Sequence, residues 1–238
     1  YIAAFIRDLI ADKRHNNDSD ILAHFCRERD EAGNFFSDYE IVENFVVLLF
    51  AAQDTTTASL VNACYELGRH PQWQQRMREE ARALGKESIG QDDLDALPSF
   101  DMVFNETQRL HSSVPLFPRR SINPCELSAV EIPADTLLMN AITYNHVIPG
   151  WWTDPHKFDP ERFERGEHKQ HPFLFHPFGG GAHKCIGMHF AKIVFCSFLY
   201  HLITGHEIRL RPDYDPDWQY LPMPKPKDNL PMRLVPVD

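Results

Sequence analysis

Apolar residues recur at helical spacing through the first half of the chain. Before one apolar run, SDYE at positions 37–40 matches a capping box and predicts a long helix over 38–68. Pro71 favours the start of a second helix, which the apolar spacing extends over 71–84 until a glycine ends it. A third predicted helix covers 100–110 and stops before a proline. The first half is therefore predicted to be helical.

Prolines divide the chain between 115 and 165 into short apolar runs such as VEI and TLLMNAIT. This pattern predicts short strands joined by loops. A glycine-rich loop at 179–181 precedes a final predicted helix from about Ile186 to Ile203, and the Pro-rich tail is predicted to form a small hairpin. The predicted buried face of that helix comprises Val194, Phe195, Phe198, Leu199 and Leu202. The whole pattern predicts a mainly α protein with small β-sheets, an α+β fold.

Composition and charge narrow the function classes. The 238 residues carry a formal net charge of −10, which argues against a nucleic-acid-binding surface. Five cysteines without a CxxC pair argue against a disulfide framework or a zinc ribbon, and they favour a reduced, cytoplasmic setting. The apolar run FVVLLFAA at 45–52 is much shorter than the roughly 20 residues that cross a bilayer. We therefore expect a core helix there and no membrane segment in this chain.

Cys185 has the sequence context of a reactive thiolate. It lies in FGGGAHKCIG, positions 178–187, at the predicted start of the last helix, where unpaired N–H groups and the helix dipole favour an anion. One alternative is a small buried apolar cysteine. A phosphate loop fails because Lys184 is followed by cysteine rather than by serine or threonine. A zinc site lacks a second paired ligand element; its ligands would be His176, His183, Cys185 and His189.

This ten-residue loop resembles the haem-binding loop of the cytochrome P450 family. The positions that match the family pattern are Phe178, Gly179, Gly181, His183, Cys185 and Gly187. The resemblance implies that Cys185 ligates the iron of haem b (iron protoporphyrin IX) and that His183 bonds a haem propionate. Arginine is commonest at the position of His183, and a similar histidine occurs in members that resemble sterol 14-demethylases.

Two further motifs follow the order of the family. ETQR, positions 106–109, resembles the ExxR helix motif, and FDPERF, positions 158–163, resembles the segment that supplies a second arginine. The resemblance implies a buried structural triad of Glu106, Arg109 and Arg162. By itself, an i, i+3 pair of Glu and Arg is common on helix surfaces and worth little.

AAQDTT, positions 51–56, resembles the oxygen-binding kink of the family's long helix. Polar and β-branched residues are poor choices for a buried helix interior, and such local conflict often marks function. The resemblance implies that Asp54 and Thr55 deliver protons and position oxygen, whereas a threonine face bonded back to the preceding turn is the structural alternative. Ala52 stands where the family usually has glycine.

The segment after the ExxR helix matches positions that face haem and substrate in the family. Arg119 matches a second propionate-binding position, for which the neighbouring Arg120 competes. SVPLFP at 113–118 matches a stretch that faces substrate, although core packing explains its apolar residues equally well. The residues concerned are Val114, Leu116 and Phe117. They suggest an apolar substrate such as a lipid, a sterol or a terpenoid-like molecule.

The resemblance runs along nearly the whole chain but covers only the C-terminal portion of the P450 fold, beginning just before the long oxygen-binding helix. We therefore expect 1–238 to be a single incomplete haem domain. Its predicted parts are a helical part over 1–112, strands and a meander over 113–175, and the Cys loop, final helix and terminal hairpin over 176–238. The amphipathic start, YIAAFIRDLI, lacks signal-peptide features and leaves an upstream membrane anchor open.

The resemblance implies a haem-thiolate monooxygenase that inserts one oxygen atom into its substrate. Electrons would come from a ferredoxin or a reductase, since the chain shows no flavin or nicotinamide fingerprint. The alternative is a truncated, non-catalytic haem-binding fragment. Basic residues around the loop either dock an acidic ferredoxin or form a solvated face; they are Arg162, Arg165, Lys169, His183, Lys184 and Lys192.

Overall fold

The computed structural model describes residues 1–16 and 18–237. The chain divides into two compact units, Tyr1–Asp54 and Thr55–Asp238. One helix, α3, runs through the division. The eight α-helices are α1 (Ile2–His15), α2 (Ile21–Arg27), α3 (Asp38–Arg69), α4 (Pro71–Leu84), α5 (Pro98–Leu110), α6 (Ile142–Asn145), α7 (Glu161–Glu164) and α8 (Met188–Gly205).

The first unit packs α1 and α2 against the start of α3. The predicted capping box forms there, because the Ser37 N–H donates to Glu40 Oε2 at 2.8 Å and the Glu40 N–H donates to Ser37 Oγ at 3.3 Å. The buried core of this unit comprises Ile6, Ile10, Leu22, Cys26, Ile41 and Val42. The predicted helix start at Asp38 is confirmed.

The prediction that the apolar run 45–52 is a core helix is correct for the helix but wrong for its burial. Val47 is 64% exposed and Phe50 is 74% exposed. Among the described residues of the first unit, α1 and α2 are the other helices, and the core that they share with α3 contains Ile41 and Val42 near the start of α3. They leave much of the remaining apolar surface of the run uncovered.

Helices α4, α5 and α8 of the second unit pack together around a buried apolar core. Met77, Phe100, Phe195 and Leu199 are each 0% exposed in this core. The buried stripe of α8 comprises Phe195, Cys196, Leu199, Tyr200 and Ile203. Phe198 lies at the edge of that stripe and is 43% exposed, so its predicted burial is wrong.

Within the described part of the second unit, residues 55–237, the strands form four two-stranded antiparallel sheets. Their strands are β1 (Leu116–Arg120) with β4 (Leu137–Ala141), β2 (Cys125–Leu127) with β3 (Val130–Ile132), β5 (His206–Arg209) with β8 (Arg233–Pro236), and β6 (Trp218–Gln219) with β7 (Lys225–Pro226). The prediction that the Pro-rich tail at 222–237 forms a hairpin by itself is therefore wrong. Its strand β7 pairs with β6, which precedes the tail, and its strand β8 pairs with the distant β5, which follows directly after α8.

By length and composition alone, α3 and α8 could each cross a membrane, a criterion that core helices of soluble proteins also meet. Since α8 supplies Phe195, Leu199 and Ile203 to the core of its unit, we interpret it as a core helix.

Candidate functional site: the Cys loop and the buried charge triad

Glu106, Arg109 and Arg162 are brought together as a buried charge triad, and all three are 0% exposed. Arg109 binds the Glu106 carboxylate through two donors, Nε to Oε2 at 2.7 Å and Nη2 to Oε1 at 2.8 Å. Arg162 Nε donates to Oε1 at 3.0 Å, and the Asp159 N–H donates to the same oxygen at 2.9 Å. The Glu106 carboxylate is thus fully hydrogen-bonded, as a buried charge requires.

Glu167 is a second acid in this cluster that the sequence motifs did not indicate. It accepts a hydrogen bond from Arg162 Nη1 at 2.9 Å and therefore adds a second carboxylate beside Arg162 of the triad. Burial alone would raise the pKa of Glu167, but hydrogen bonds from Arg165 and Thr153 and the arginine charges hold that pKa below its ordinary value. Glu167 has no periodic or motif signal in the sequence, because it begins a single 3-10 turn, Glu167–Gln170, and does not lie on the face of a longer helix.

Cys185 is exposed, and the backbone around it is closed by short-range hydrogen bonds. The Cys185 N–H donates to the Phe178 carbonyl at 2.9 Å, and a turn of 3-10 helix covers Gly181–His183. Gly179 and Gly181 have φ angles of 72° and 68°, a region that favours glycine. Helix α8 begins at Met188 rather than near Ile186, so the thiol lies in the loop just before the helix.

Phe178 and Gly179 connect the Cys loop to the rest of its unit. The ring of Phe178 lies 6.1 Å from that of Phe104 on α5, at an interplanar angle of 23°. A Cβ at Gly179 would lie 3.4 Å from the ring of Phe117 on β1. At Gly187 a Cβ would lie 3.8 Å from Cys185 Sγ. At Phe178 and Gly179 the loop is therefore placed between α5 and β1, whereas a Cβ at Gly181 would meet open space.

The two candidate propionate-binding arginines differ in their partners. Arg120 forms an ion pair with Asp135, with 2.9 Å between Nη1 and Oδ1. Arg119 donates only to the neighbouring Pro118 carbonyl at 2.8 Å, and its guanidinium lies 5.9 Å from the centre of the Phe117 ring. Within the described residues, no carboxylate lies within salt-bridge distance of Arg119, which favours it over Arg120 as an anion ligand. His183 is exposed on the loop.

Asp54 and Thr55 fall on either side of the division between the two units. Asp54 is exposed and Thr55 is half-buried, so the expected buried helix interior is wrong at Asp54. The carbonyl of Thr55 accepts hydrogen bonds from Ser59 Oγ at 2.9 Å and from Ser113 Oγ at 2.8 Å. These serines attach α3 at Thr55 to the segment that follows α5. The backbone at Thr55, and not a threonine hydroxyl, receives these bonds.

The apolar residues of the predicted substrate-facing stretch have different environments. Leu116 is 41% exposed, and Val114 and Phe117 are half-buried. Neither a fully packed core nor a fully solvated loop describes them. The ring of Phe117 lies close enough to the Cys loop that a Cβ at Gly179 would meet it at 3.4 Å, so one of the three is near the candidate cofactor site.

A cavity of about 470 Å³ lies alongside the Cys loop. Phe104, Phe173 and Phe178 give it aromatic walls, and Lys184 and Lys192 lie at its edge. Lys192 is paired with Asp101 at 2.5 Å, which leaves Lys184 as the basic group carried by the loop itself. A larger cavity of about 580 Å³, near Glu66 and Trp218, includes no residue of the Cys loop.

The chemistry of this site fits a thiolate-ligated haem. An exposed thiol lies on a loop shaped by glycines, aromatic rings contact that loop, and Arg119 and His183 supply exposed groups able to bind propionates. Among residues 1–16 and 18–237, no group of three or more His, Cys, Asp or Glu side chains is placed to hold a metal ion together. The described chain therefore does not assemble the alternative zinc ligand set.

Comparisons with known proteins agree with this geometry. The family model named Cytochrome P450 matches residues 1–230. The chain is 41% identical over 233 residues to a Mycobacterium tuberculosis protein named cytochrome P450 136, covering 95% of this chain and 47% of that relative. It is 32% identical over 221 residues to cytochrome P450 120 of Synechocystis, covering 92% of this chain and 50% of that relative.

A solved structure shows the same fold. Retinoic acid-bound cyanobacterial CYP120A1 matches with a TM-score of 0.91 and 31% identity, covering 99% of this chain and 55% of that one. The predicted α+β fold class and its family are confirmed by this match. The chain spans about half the length of the curated relatives it matches. The family model and the relatives together show that the chain belongs to the cytochrome P450 family.

Proposed function

We propose that the protein is a haem-thiolate monooxygenase in which Cys185 ligates the iron of haem b. The observation that carries this proposal is the exposed thiol of Cys185 on a loop whose Gly179 and Gly181 adopt left-handed backbone conformations. Glycine adopts these conformations readily, and because it has no side chain it would let the backbone approach a flat ligand closely. When bound, a thiolate-ligated haem supplies the iron at which dioxygen is bound and activated, and the sulfur favours O–O cleavage.

Other residues of this chain would bind the haem, hold the Cys loop in place and deliver protons. Arg119, which has no acidic partner among the described residues, and His183 would bind the haem propionates. The triad would act at a distance from the reaction, by fixing the backbone that carries the loop. Asp54 and Thr55 would deliver protons and position oxygen, a role that rests on the family motif.

The proposed substrate is an apolar small molecule such as a lipid, a sterol or a terpenoid. The partly buried side chains of Val114 and Phe117 support it, and Phe117 lies near the Cys loop at Gly179. Two relatives add support: the cyanobacterial structure holds retinoic acid, and an Arabidopsis relative, 30% identical over 240 residues, is named abscisic acid 8'-hydroxylase 2. Both names refer to apolar molecules that carry a carboxylate.

The proposed electron donor is a ferredoxin or a reductase in the cytoplasm. Lys184 on the Cys loop is exposed and could pair with an acidic partner surface. Substituting Lys184→Glu would then weaken reduction by the partner without changing the haem spectrum.

The test of the function is the carbon monoxide difference spectrum of the reduced, haem-loaded protein. We expect a strongly red-shifted Soret band, because thiolate ligation changes the electronic structure of the iron. Cys185→Ser should abolish that band, since an alcohol is not an anion at neutral pH. Cys125→Ser, at the other exposed cysteine, is the matched control and should leave it intact. An unchanged band in Cys185→Ser would refute the proposal.

A further inference from the structure

His146 lies fully buried between the end of α5 and the start of the Cys loop, at 0% exposure. Its Nδ1 lies 3.2 Å from the Arg109 carbonyl oxygen, and the His176 N–H donates to its Nε2 at 3.2 Å. A backbone N–H can only donate, so Nε2 must be the unprotonated nitrogen. Nδ1 then carries the proton and donates to the Arg109 carbonyl. The two contacts together fix the tautomer of the ring.

The surroundings keep this ring neutral. Burial lowers the pKa of His146 to about 3, and the charges of His176 and Arg109 act in the same direction. The hydrogen bond to the Arg109 carbonyl opposes them without reversing the shift. Two rings pack against that of His146. The His176 ring lies 5.8 Å away between centroids, and the uncharged Phe175 ring lies 5.3 Å away. A neutral ring retains the lone pair that the His176 N–H needs.

Hydrogen bonds connect residue 146 in both directions. Towards the triad, its carbonyl accepts from Arg109 Nη1 at 2.7 Å. Towards the loop, its ring holds the His176 N–H, and the His176 carbonyl in turn accepts from the Gly179 N–H at 2.9 Å. The Phe178 carbonyl, one residue earlier, accepts from the Cys185 N–H at 2.9 Å. A continuous set of contacts thus leads from the buried triad to the backbone of Cys185.

We propose that His146 is a positioning residue, which holds the start of the Cys loop against the triad through the acceptor at its Nε2. The anchoring is a property of this chain alone. Its consequence for ligation rests on the proposed function, because only a ligating Cys185 needs a fixed position. Substitutions at His146 should therefore loosen the loop first and change the ligation of a bound haem as a result.

The test compares His146→Gln with His146→Met by amide hydrogen exchange. The two side chains have similar length and shape, but only Gln offers a strong acceptor to the His176 N–H. We expect amides of 176–185 to exchange about tenfold faster in His146→Met, and within about twofold of the parent rate in His146→Gln. The amides of α8 report global stability in the same sample. His156→Gln, at an exposed histidine of the neighbouring segment, is the control and should change nothing.

Two outcomes overturn the inference. Equal protection of 176–185 in the Gln and Met variants would show that the acceptor does not hold the loop. Equal loss of protection throughout α8 and the loop in both variants would show that His146 acts only by filling the core. The spectrum of the haem-loaded parent protein tests the proposed function separately. If the parent shows no thiolate ligation, the proposed function is wrong, but faster exchange of 176–185 in His146→Met would still support the anchoring role of His146.

Discussion

Replacing Glu106 with Gln removes the central charge of the buried triad while preserving the shape of the side chain. The carboxylate accepts four hydrogen bonds, two from Arg109, one from Arg162 and one from the Asp159 N–H. An amide has only one oxygen, so its NH₂ group would face an arginine donor. Glu167 would remain the only carboxylate bound to Arg162. The variant therefore leaves positive charge buried without compensation.

The expected cost is about 3 to 5 kcal/mol, the range for removing one partner of a buried ion pair. The upper part of that range is appropriate here because Glu106, Arg109 and Arg162 are each 0% exposed and solvent cannot replace the lost charge. Typical domains have only about 5 to 15 kcal/mol of total stability. Much of the stability of this chain would therefore be lost.

The assay is urea unfolding of residues 1–238, followed by circular dichroism. Asp135→Asn is the matched control, because it removes the same kind of charge from an ion pair with Arg120 whose side chains are 59% and 83% exposed. That control should cost less than about 1 kcal/mol. If Glu106→Gln yields too little folded protein, Arg162→Lys can replace it. Lysine keeps the positive charge but lacks the several donors of the guanidinium group, so the loss of unfolding free energy should lie between those of Asp135→Asn and Glu106→Gln. A Glu106→Gln cost no larger than the control would refute the reasoning.

Two further predictions concern protons. The folded-state pKa of His146 is about 3, whereas its ordinary value is 6.5. As pH falls below about 6.5, His146 therefore becomes protonated in the unfolded chain but stays neutral in the folded chain. The unfolding free energy should then drop by about 2 kcal/mol from pH 8 to pH 5 through this residue, and a dependence equally steep in His146→Gln would contradict the assignment. In the haem-loaded protein, Thr55→Ala should keep substrate binding but divert oxygen to peroxide, measured as product and peroxide per electron consumed. Unchanged coupling, or the same change in Thr57→Ala, would show that Thr55 does not position oxygen.

The sequence predicts features of this protein that depend on local rules. Helix α3 begins at Asp38 because a capping box satisfies its first N–H groups, and α4 ends where Gly85 adopts a left-handed conformation. Both signals are contained within a few residues. The Cys loop is predictable for the same reason, since its glycines and cysteine are adjacent in the chain. Placing Glu106 against Arg162 required the family resemblance, because 56 residues separate them.

Features that depend on distant neighbours were missed. Phe50 belongs to an apolar run and is still 74% exposed, because burial is decided by what packs over a helix and not by its own composition. The β5–β8 pairing joins residues 24 to 30 positions apart, from Arg209 with Arg233 to His206 with Pro236, whereas a local hairpin was predicted. His146 lies outside the sequence motifs at 51–56, 106–109, 158–163 and 178–187. The role proposed for it comes from the backbone groups of Arg109 and His176 that its ring contacts.

The triad compensates for the scarcity of regular structure between α6 and α8. Segments without helix or strand leave backbone carbonyls that need donors, and each buried carbonyl without one is costly. Arg109 and Arg162 donate to such carbonyls; these belong to His146, Thr153, Asp154, Pro155 and Lys157. Only guanidinium groups combine five donors with a permanent charge, and that charge requires Glu106 and Glu167 in return. Glu106 and the partly buried Glu167 are therefore needed, because arginine side chains take the place of sheet hydrogen bonds in this irregular backbone. The same backbone leads through His146 and His176 to the loop that carries Cys185.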